Sequence, residues 1–184
     1  MNFKIVDTNL TGLKIIEYKS FEDNRGFFQE LYKISSFTKM GINHNFVQDN
    51  ISSSKINVVR GLHYQEGEFA QAKLVFVVKG EIFDAVVDLR NNSESFGQHK
   101  SFTIKEGDNR ALLIPKGFAH GFCSLKSETL VFYKNDNEYS PSHSKGIIWN
   151  DKNLGIDWPV KNPILSEIDS NFPKFDAGKI YYEL

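Results

Sequence analysis

The sequence predicts an all-β protein, two antiparallel sheets closed into a sandwich or barrel of the jelly-roll kind. One short helix and an irregular C-terminal tail complete it. Three observations carry this expectation. Apolar residues recur with a period of two along most of the chain. Clusters of Gly, Pro, Asn, Asp and Ser cut that pattern into short segments. No long helical pattern lies between the segments, so the strands are not linked as in a parallel α/β sheet.

The elements follow in chain order. Strands are expected at 13–18 and 26–32, then a helix at 34–40 that Gly41 ends. Strands at 47–52 and 55–62 come next. Residues 74–78, Leu-Val-Phe-Val-Val, form an unbroken apolar run. A strand apolar on both faces belongs between two layers or at a subunit interface. After the turn Lys79-Gly80, residues 82–89 alternate, with Ile82, Asp84, Val86 and Asp88 on one face. Strands at 98–104, 110–114, 119–125 and 129–134 are separated by turns at Glu106-Gly107-Asp108-Asn109, Pro115-Lys116-Gly117 and Lys126-Ser127. From Pro159 the chain reads as irregular, with Pro163 and Pro173. Closure or dimerisation is expected to protect the sheet edges.

Composition bounds the function. The 184 residues, 40% hydrophobic and 14% aromatic, suit one domain spanning 1–184, with about 159–184 as a tail packed on it. Lys plus Arg is 22 against 23 for Asp plus Glu, a net charge of -1. That balance gives no electrostatic reason to expect nucleic acid or an anionic membrane as partner. The single cysteine, Cys123, excludes an internal disulfide and a cysteine-clustered zinc site. No apolar run is long enough to span a membrane, and the first residues lack a signal-peptide core. A soluble, cytoplasmic protein is expected.

Two histidines stand out. His63 ends the segment Val58-Val59-Arg60-Gly61-Leu62-His63, and His120 follows the turn Pro115-Lys116-Gly117. Each by itself is more readily an ordinary core or surface histidine. Their order and spacing together resemble the two-motif pattern of the cupin barrels. A metal-binding cupin needs a second His two residues after the first, with a carboxylate soon after, and Gln65 occupies that place. Lys73 nearby adds a positive charge. No metal is expected. His63 then becomes a general base, which works best with a carboxylate holding its tautomer. Asp84, Asp88 and Asp169 are each able to serve, and spacing does not choose among them. Tyr133, by its position, reads first as a strand aromatic with its hydroxyl outward.

Longer motifs run through the chain. They are Phe21-Glu22-Asp23-Asn24-Arg25-Gly26-Phe27-Phe28-Gln29-Glu30, Phe46-Val47-Gln48-Asp49-Asn50, Val59-Arg60-Gly61-Leu62-His63-Tyr64-Gln65, Ile114-Pro115-Lys116-Gly117-Phe118-Ala119-His120-Gly121-Phe122 and Ile148-Trp149-Asn150-Asp151. With them the chain resembles the dTDP-4-dehydrorhamnose 3,5-epimerase family from Asp7 to about Asp169. The resemblance implies a cupin-type jelly roll that uses no metal or cofactor. It also implies a homodimer acting on a dTDP-linked 4-keto-6-deoxy sugar.

The resemblance also implies roles. His63 matches the base beside the ketone, Asp169 its carboxylate partner, Tyr133 the acid on the opposite face, and Lys73 the cation near the C4 oxygen. His120 matches a substrate contact, and Tyr139 the aromatic that stacks on thymine. Arg25, Glu30, Gln48, Asn50 and Arg60 match nucleotide-sugar contacts, the first two reaching in from the partner subunit. These residue types suit the chemistry. A C–H beside a ketone is acidic only when the enolate is stabilised, and inversion needs a proton donor opposite the base. Two positions depart from the family pattern: Ser144 stands where a glutamate is common, and Ile168 where a lysine is common. The function expected is inversion of C3 and C5 of dTDP-4-dehydro-6-deoxy-D-glucose. The alternatives are inversion of one centre of a related keto sugar, or sugar-nucleotide binding without catalysis.

Overall fold

The structure, a computed structural model, describes residues 2–183. Met1 and Leu184, the two ends of the expected domain, lie outside them. The chain begins with strands β1 (Phe3–Asp7), β2 (Lys14–Tyr18), β3 (Ser20–Asp23) and β4 (Gly26–Gln29), then helix α1 (Ile34–Lys39). Strands β5 (Gln48–Ser54), β6 (Val59–Gln65), β7 (Lys73–Lys79), β8 (Glu81–Asp88) and β9 (His99–Lys105) follow. Then come β10 (Arg110–Ile114), β11 (Phe118–Ser124), β12 (Thr129–Asn135), β13 (Ser144–Gly146) and a one-turn helix α2 (Glu167–Ser170).

Two sheets face each other. One has the order β1-β2-β10-β7-β12-β5 and the other β13-β6-β11-β8-β9, while β3 and β4 form a separate hairpin. The ladders between neighbouring strands of both sheets are antiparallel. This is the cupin-like jelly roll that the period-two pattern predicts. No helix among the described residues is long and apolar enough to cross a membrane.

Alternation along the strands builds three apolar layers. Val75, Val77, Leu112, Ile114 and Val131 of the first sheet meet Ile82, Val86, Ile104, Phe118 and Phe122 of the second, filling the space between. The outer face of the first sheet carries Ile16, Leu74, Phe76 and Leu113, covered by Phe37 of α1 and Ile42. The outer face of the second carries Leu62, Tyr64, Val87 and Ala119, covered by Leu154 and Tyr181 of the C-terminal segment. The apolar run of β7 is thus sandwiched between layers: Val75 and Val77 point inward, Leu74 and Phe76 outward.

The structure adjusts several boundaries. The segment predicted at 55–62 starts as a strand only at Val59, because Asn57 takes a left-handed φ of 64° and turns the chain. β1, β3 and β13 are additions to the predicted set, as is α2. The tail beyond Pro159 is irregular, as expected, yet it is pinned. Ile164 bridges to Val58 and Tyr182 to Arg90, and the Phe175 and Tyr181 rings stack at 5.6 Å.

Candidate active site

A cavity of about 470 Å³ opens between the two sheets, a size suited to a small-molecule ligand. Strand register explains what lines it. On β12, Val131, Tyr133 and Asn135 share one face. Tyr133 lies between Asn50 of β5 and Val75 of β7, and Asn135 lies between Gln48 and Lys73. Two rows, Gln48–Asn135–Lys73 and Asn50–Tyr133, therefore form a polar wall, and the apolar row of Val131 and Val77 lies beyond them.

The facing wall comes from β6. Arg60 and His63 both line the cavity although a three-residue offset puts strand side chains on opposite faces. A bulge reconciles the two. His63 pairs with His120 and Arg60 with Phe122, so β6 uses one residue more than β11 over this stretch. Gly61 sits in that bulge with φ 127°, and a Cβ there would come within 2.5 Å of Gly121 Cα. The Arg-Gly-Leu-His motif owes its glycine to this close strand crossing.

His63 Nε2 lies 2.5 Å from Asp169 Oδ1, and the Asp169 side chain is 6% exposed against 40% for His63. With the proton between Nε2 and the carboxylate, the other ring nitrogen keeps its lone pair for base work. The alternatives left open by spacing are committed elsewhere. Asp84 Oδ2 accepts from His120 Nε2 at 2.7 Å, and Asp88 is held by Arg90, Ser93 and Ser95. Asp169 is fixed by its own short helix, whose cap Ser166 accepts a hydrogen bond from the Asp169 amide at 3.0 Å. The Phe172 ring meets His63 edge-on at 5.6 Å and packs flat against Gly146, leaving no room there for a Cβ.

Burial shapes the opposite wall. It pushes the Lys73 ammonium down to about 8, while the Asp84 carboxylate pulls it back up. Burial also raises the Tyr133 phenol, against the pull of the Arg60 charge. Arg60 itself donates to Ser54 Oγ and to the Ser53 carbonyl, each at 3.1 Å.

The cavity gathers His63, Asp169, Lys73, Tyr133, Gln48, Asn50, Arg60 and Tyr139 from the predicted set. His120, opposite His63 in the ladder, is buried against Asp84 and does not line it. Arg25 lies in the turn of the β3–β4 hairpin, paired with Asp23 at 2.6 Å, and Glu30 follows β4; neither lines this cavity. Ser144 and Ile168 do line it. Among the described residues no group of three His, Cys, Asp or Glu side chains is arranged to hold a metal ion.

Several residues here went unassigned by sequence reasoning. Gln65, in the place of a metal-cupin histidine, is buried and structural. Its amide donates to the Phe69 and Glu138 carbonyls and accepts from the Ser140 amide, fastening the loop that carries Tyr139. Gln71 secures the same loop through the Asn137 carbonyl. Asn135 and Phe172 also line the cavity. The Asn135 position was visible in the period of β12, two residues beyond Tyr133.

A double-sheet barrel that presents a histidine–carboxylate pair on one wall and a lysine and tyrosine on the other faces acid–base groups across one cavity, an arrangement that suits an epimerase, an isomerase-class enzyme. The chain belongs to the dTDP-4-dehydrorhamnose 3,5-epimerase family, whose sequence model matches residues 7–177. It is 45% identical over 172 residues to the Shigella flexneri dTDP-4-dehydrorhamnose 3,5-epimerase, covering 93% of this chain and 95% of that one. The crystal structure of the Bacillus anthracis dTDP-4-dehydrorhamnose 3,5-epimerase with TDP and PPi bound superposes with a TM-score of 0.92 at 46% identity, covering 94% of this chain and 99% of that one. A Legionella pneumophila dTDP-6-deoxy-D-glucose-3,5-epimerase in complex with dTDP-4-keto-L-rhamnose gives 0.88 at 38% identity, covering 95% and 99%.

Proposed function

We propose that this chain converts dTDP-4-dehydro-6-deoxy-D-glucose to dTDP-4-dehydro-L-rhamnose by enolisation at C5 and C3, as a step in dTDP-L-rhamnose formation. The observation that carries this reading is the division of one cavity: the His63–Asp169 pair on one wall, Tyr133 and Lys73 on the other. His63 takes the proton from the carbon beside the ketone, and Asp169 stabilises the imidazolium that results. The electron pair moves onto the C4 oxygen, where the Lys73 ammonium offsets the new charge. Tyr133 returns a proton from the opposite face, inverting the carbon. The phenolate then recovers its proton from solvent and His63 releases its own, so no cofactor is consumed.

Gln48, Asn50, Arg60 and Tyr139 are assigned to the nucleotide diphosphate, with Arg60 suited to phosphate oxygens and Tyr139 to the planar base. His120, buried against Asp84 and outside the cavity lining, is assigned no step. The chain works as one domain in the cytoplasm and as a homodimer. Support for the dimer comes from the β3–β4 hairpin, where Phe27 and Phe28 are 70% and 68% exposed beside Arg25, and from the β5 edge, where Ile51 is 66% exposed. Arg25 and Glu30 are assigned to the neighbouring subunit's cavity.

The test is incubation with the 4-keto sugar nucleotide in heavy water, scoring deuterium at C3 and C5. Exchange at both with inversion is expected. Exchange at one centre reduces the function to a single-centre epimerase, and exchange at neither leaves only sugar-nucleotide binding.

A further inference from the structure

Asn135 is a buried amide that the proposed mechanism leaves without a task. It is 3% exposed, yet it lines the cavity, and its carboxamide oxygen is buried without a hydrogen-bond partner. A buried carbonyl oxygen without a donor is unfavourable, and native proteins rarely leave one. In a ligand site such an atom points to a donor that the ligand brings.

Its neighbours define that donor. Asn135 stands directly across the ladder from Lys73 on one side and Gln48 on the other. Gln48 is already committed, donating to Asn50 Oδ1 at 3.0 Å and accepting from the Tyr139 amide at 2.7 Å. The Lys73–Asn135 pair therefore remains as a cation beside a hydrogen-bond acceptor. Side chains directly opposite in an antiparallel ladder stand about 5 Å apart at Cβ. Neighbouring positions on one face suit a ligand that carries two neighbouring oxygens, a ketone and an adjacent hydroxyl. The terminal torsion of an asparagine is soft, so a small rotation turns its oxygen toward a ligand.

We propose that Asn135 reads the hydroxyl on the carbon next to the ketone, accepting its hydrogen bond while Lys73 meets the ketone oxygen. The inference rests on the epimerisation reading above and adds a polarity to the sugar's placement. Of the two carbons flanking C4, C3 carries a hydroxyl and C5 a methyl group, and only the first has a proton to donate. The Asn135 side of Lys73 is therefore the C3 side. Asn135 is a substrate-binding residue specific to one of the two enolisations.

The experiment compares the parent with Asn135→Leu, which keeps the side chain's size and removes its acceptor. Deuterium uptake at C3 and C5 is followed separately, with TDP binding and thermal melting as controls for the fold. Uptake at C3 is expected to fall about tenfold more than uptake at C5, the scale of one lost hydrogen bond to a neutral group. A 3-deoxy 4-keto sugar nucleotide is expected to compete about tenfold less well than its 3-hydroxy counterpart on the parent, and equally well on the variant. If the leucine variant does not fold, Asn135→Ala takes its place. Parent protein that exchanges at neither carbon overturns the epimerisation reading and this assignment together. Parent exchange at both carbons, with equal loss or no loss in the variant, overturns the Asn135 assignment alone. So does a parent that does not discriminate the 3-deoxy compound.

Discussion

The His63 ring nitrogen and the Asp169 carboxylate, 106 residues apart in sequence, stand 2.5 Å from each other at the cavity wall. Neither residue reaches this position alone. A β-bulge turns His63 inward, and a single helical turn capped by Ser166 presents the carboxylate. Asp169→Asn is expected to lower kcat by at least about a hundredfold, since the amide neither stabilises imidazolium nor holds the basic tautomer. TDP binding, measured by calorimetry, should stay within a few-fold of the parent. A variant with near-parent turnover would remove Asp169 from the base.

Gly146 offers a test of positioning that leaves both side chains of the pair unchanged. It pairs with His63 in the β6–β13 ladder, and the Phe172 ring occupies the space where its Cβ would go. Gly146→Ala should push Phe172 outward and carry α2 with it, separating Asp169 from His63. The expected outcome is a fall in kcat of about tenfold or more, with KM and overall fold less affected. Pairing Gly146→Ala with Phe172→Ala, which clears the space, should restore part of the loss.

Lys73 is expected to set the alkaline limit. Burial lowers its ammonium to about 8, and in the proposed mechanism it is the protonated form that stabilises the enolate. The active species is therefore present below about pH 8 and lost above it, so log(kcat/KM) should fall with a slope near -1 on the alkaline side. Asp84 raises the Lys73 value by its negative charge. Asp84→Asn should accordingly move the limb to lower pH. A limb that stays in place would separate Lys73 from the rate-controlling ionisation.

Much of this architecture was legible in the residues, and the gaps have physical causes. Alternating apolar positions marked the strands of both sheets because each buries one face between layers. β13 escaped because it has only three residues, and α2 because one turn carries no periodicity; its signal was the Ser166 cap three residues before Asp169. The choice among Asp84, Asp88 and Asp169 lay beyond spacing, since tertiary contact alone decides which carboxylate meets which histidine. The joint placement of Arg60 and His63 was hidden too, because a bulge breaks the period on which strand reading depends. Asn135 was accessible, as the next inward position after Tyr133.

Tyr133→Phe separates proton removal from proton return. Only a hydroxyl is lost from a partly buried ring, so stability should change by about 1 kcal/mol or less. His63, Asp169 and Lys73 remain, and the enolate should still form. Reprotonation then comes mainly from His63 on the original face. Mass spectrometry should find deuterium in the substrate, while NMR finds little inverted product. Inversion near the parent rate would make Tyr133 a packing residue.

Arg25, with its side chain 85% exposed, lies outside the cavity of its own chain. If it completes the neighbour's site, Arg25→Ala and His63→Asn each inactivate both sites of a homodimer. Coexpressing the two variants yields mixed dimers in which one site carries both defects and the other carries neither. Random pairing makes half of the dimers mixed, so about a quarter of the sites are intact and about a quarter of parent activity should return. Each variant alone should remain inactive. Absence of recovery, with mixed dimers demonstrated by differently tagged subunits, would place the action of Arg25 within its own chain or outside catalysis altogether.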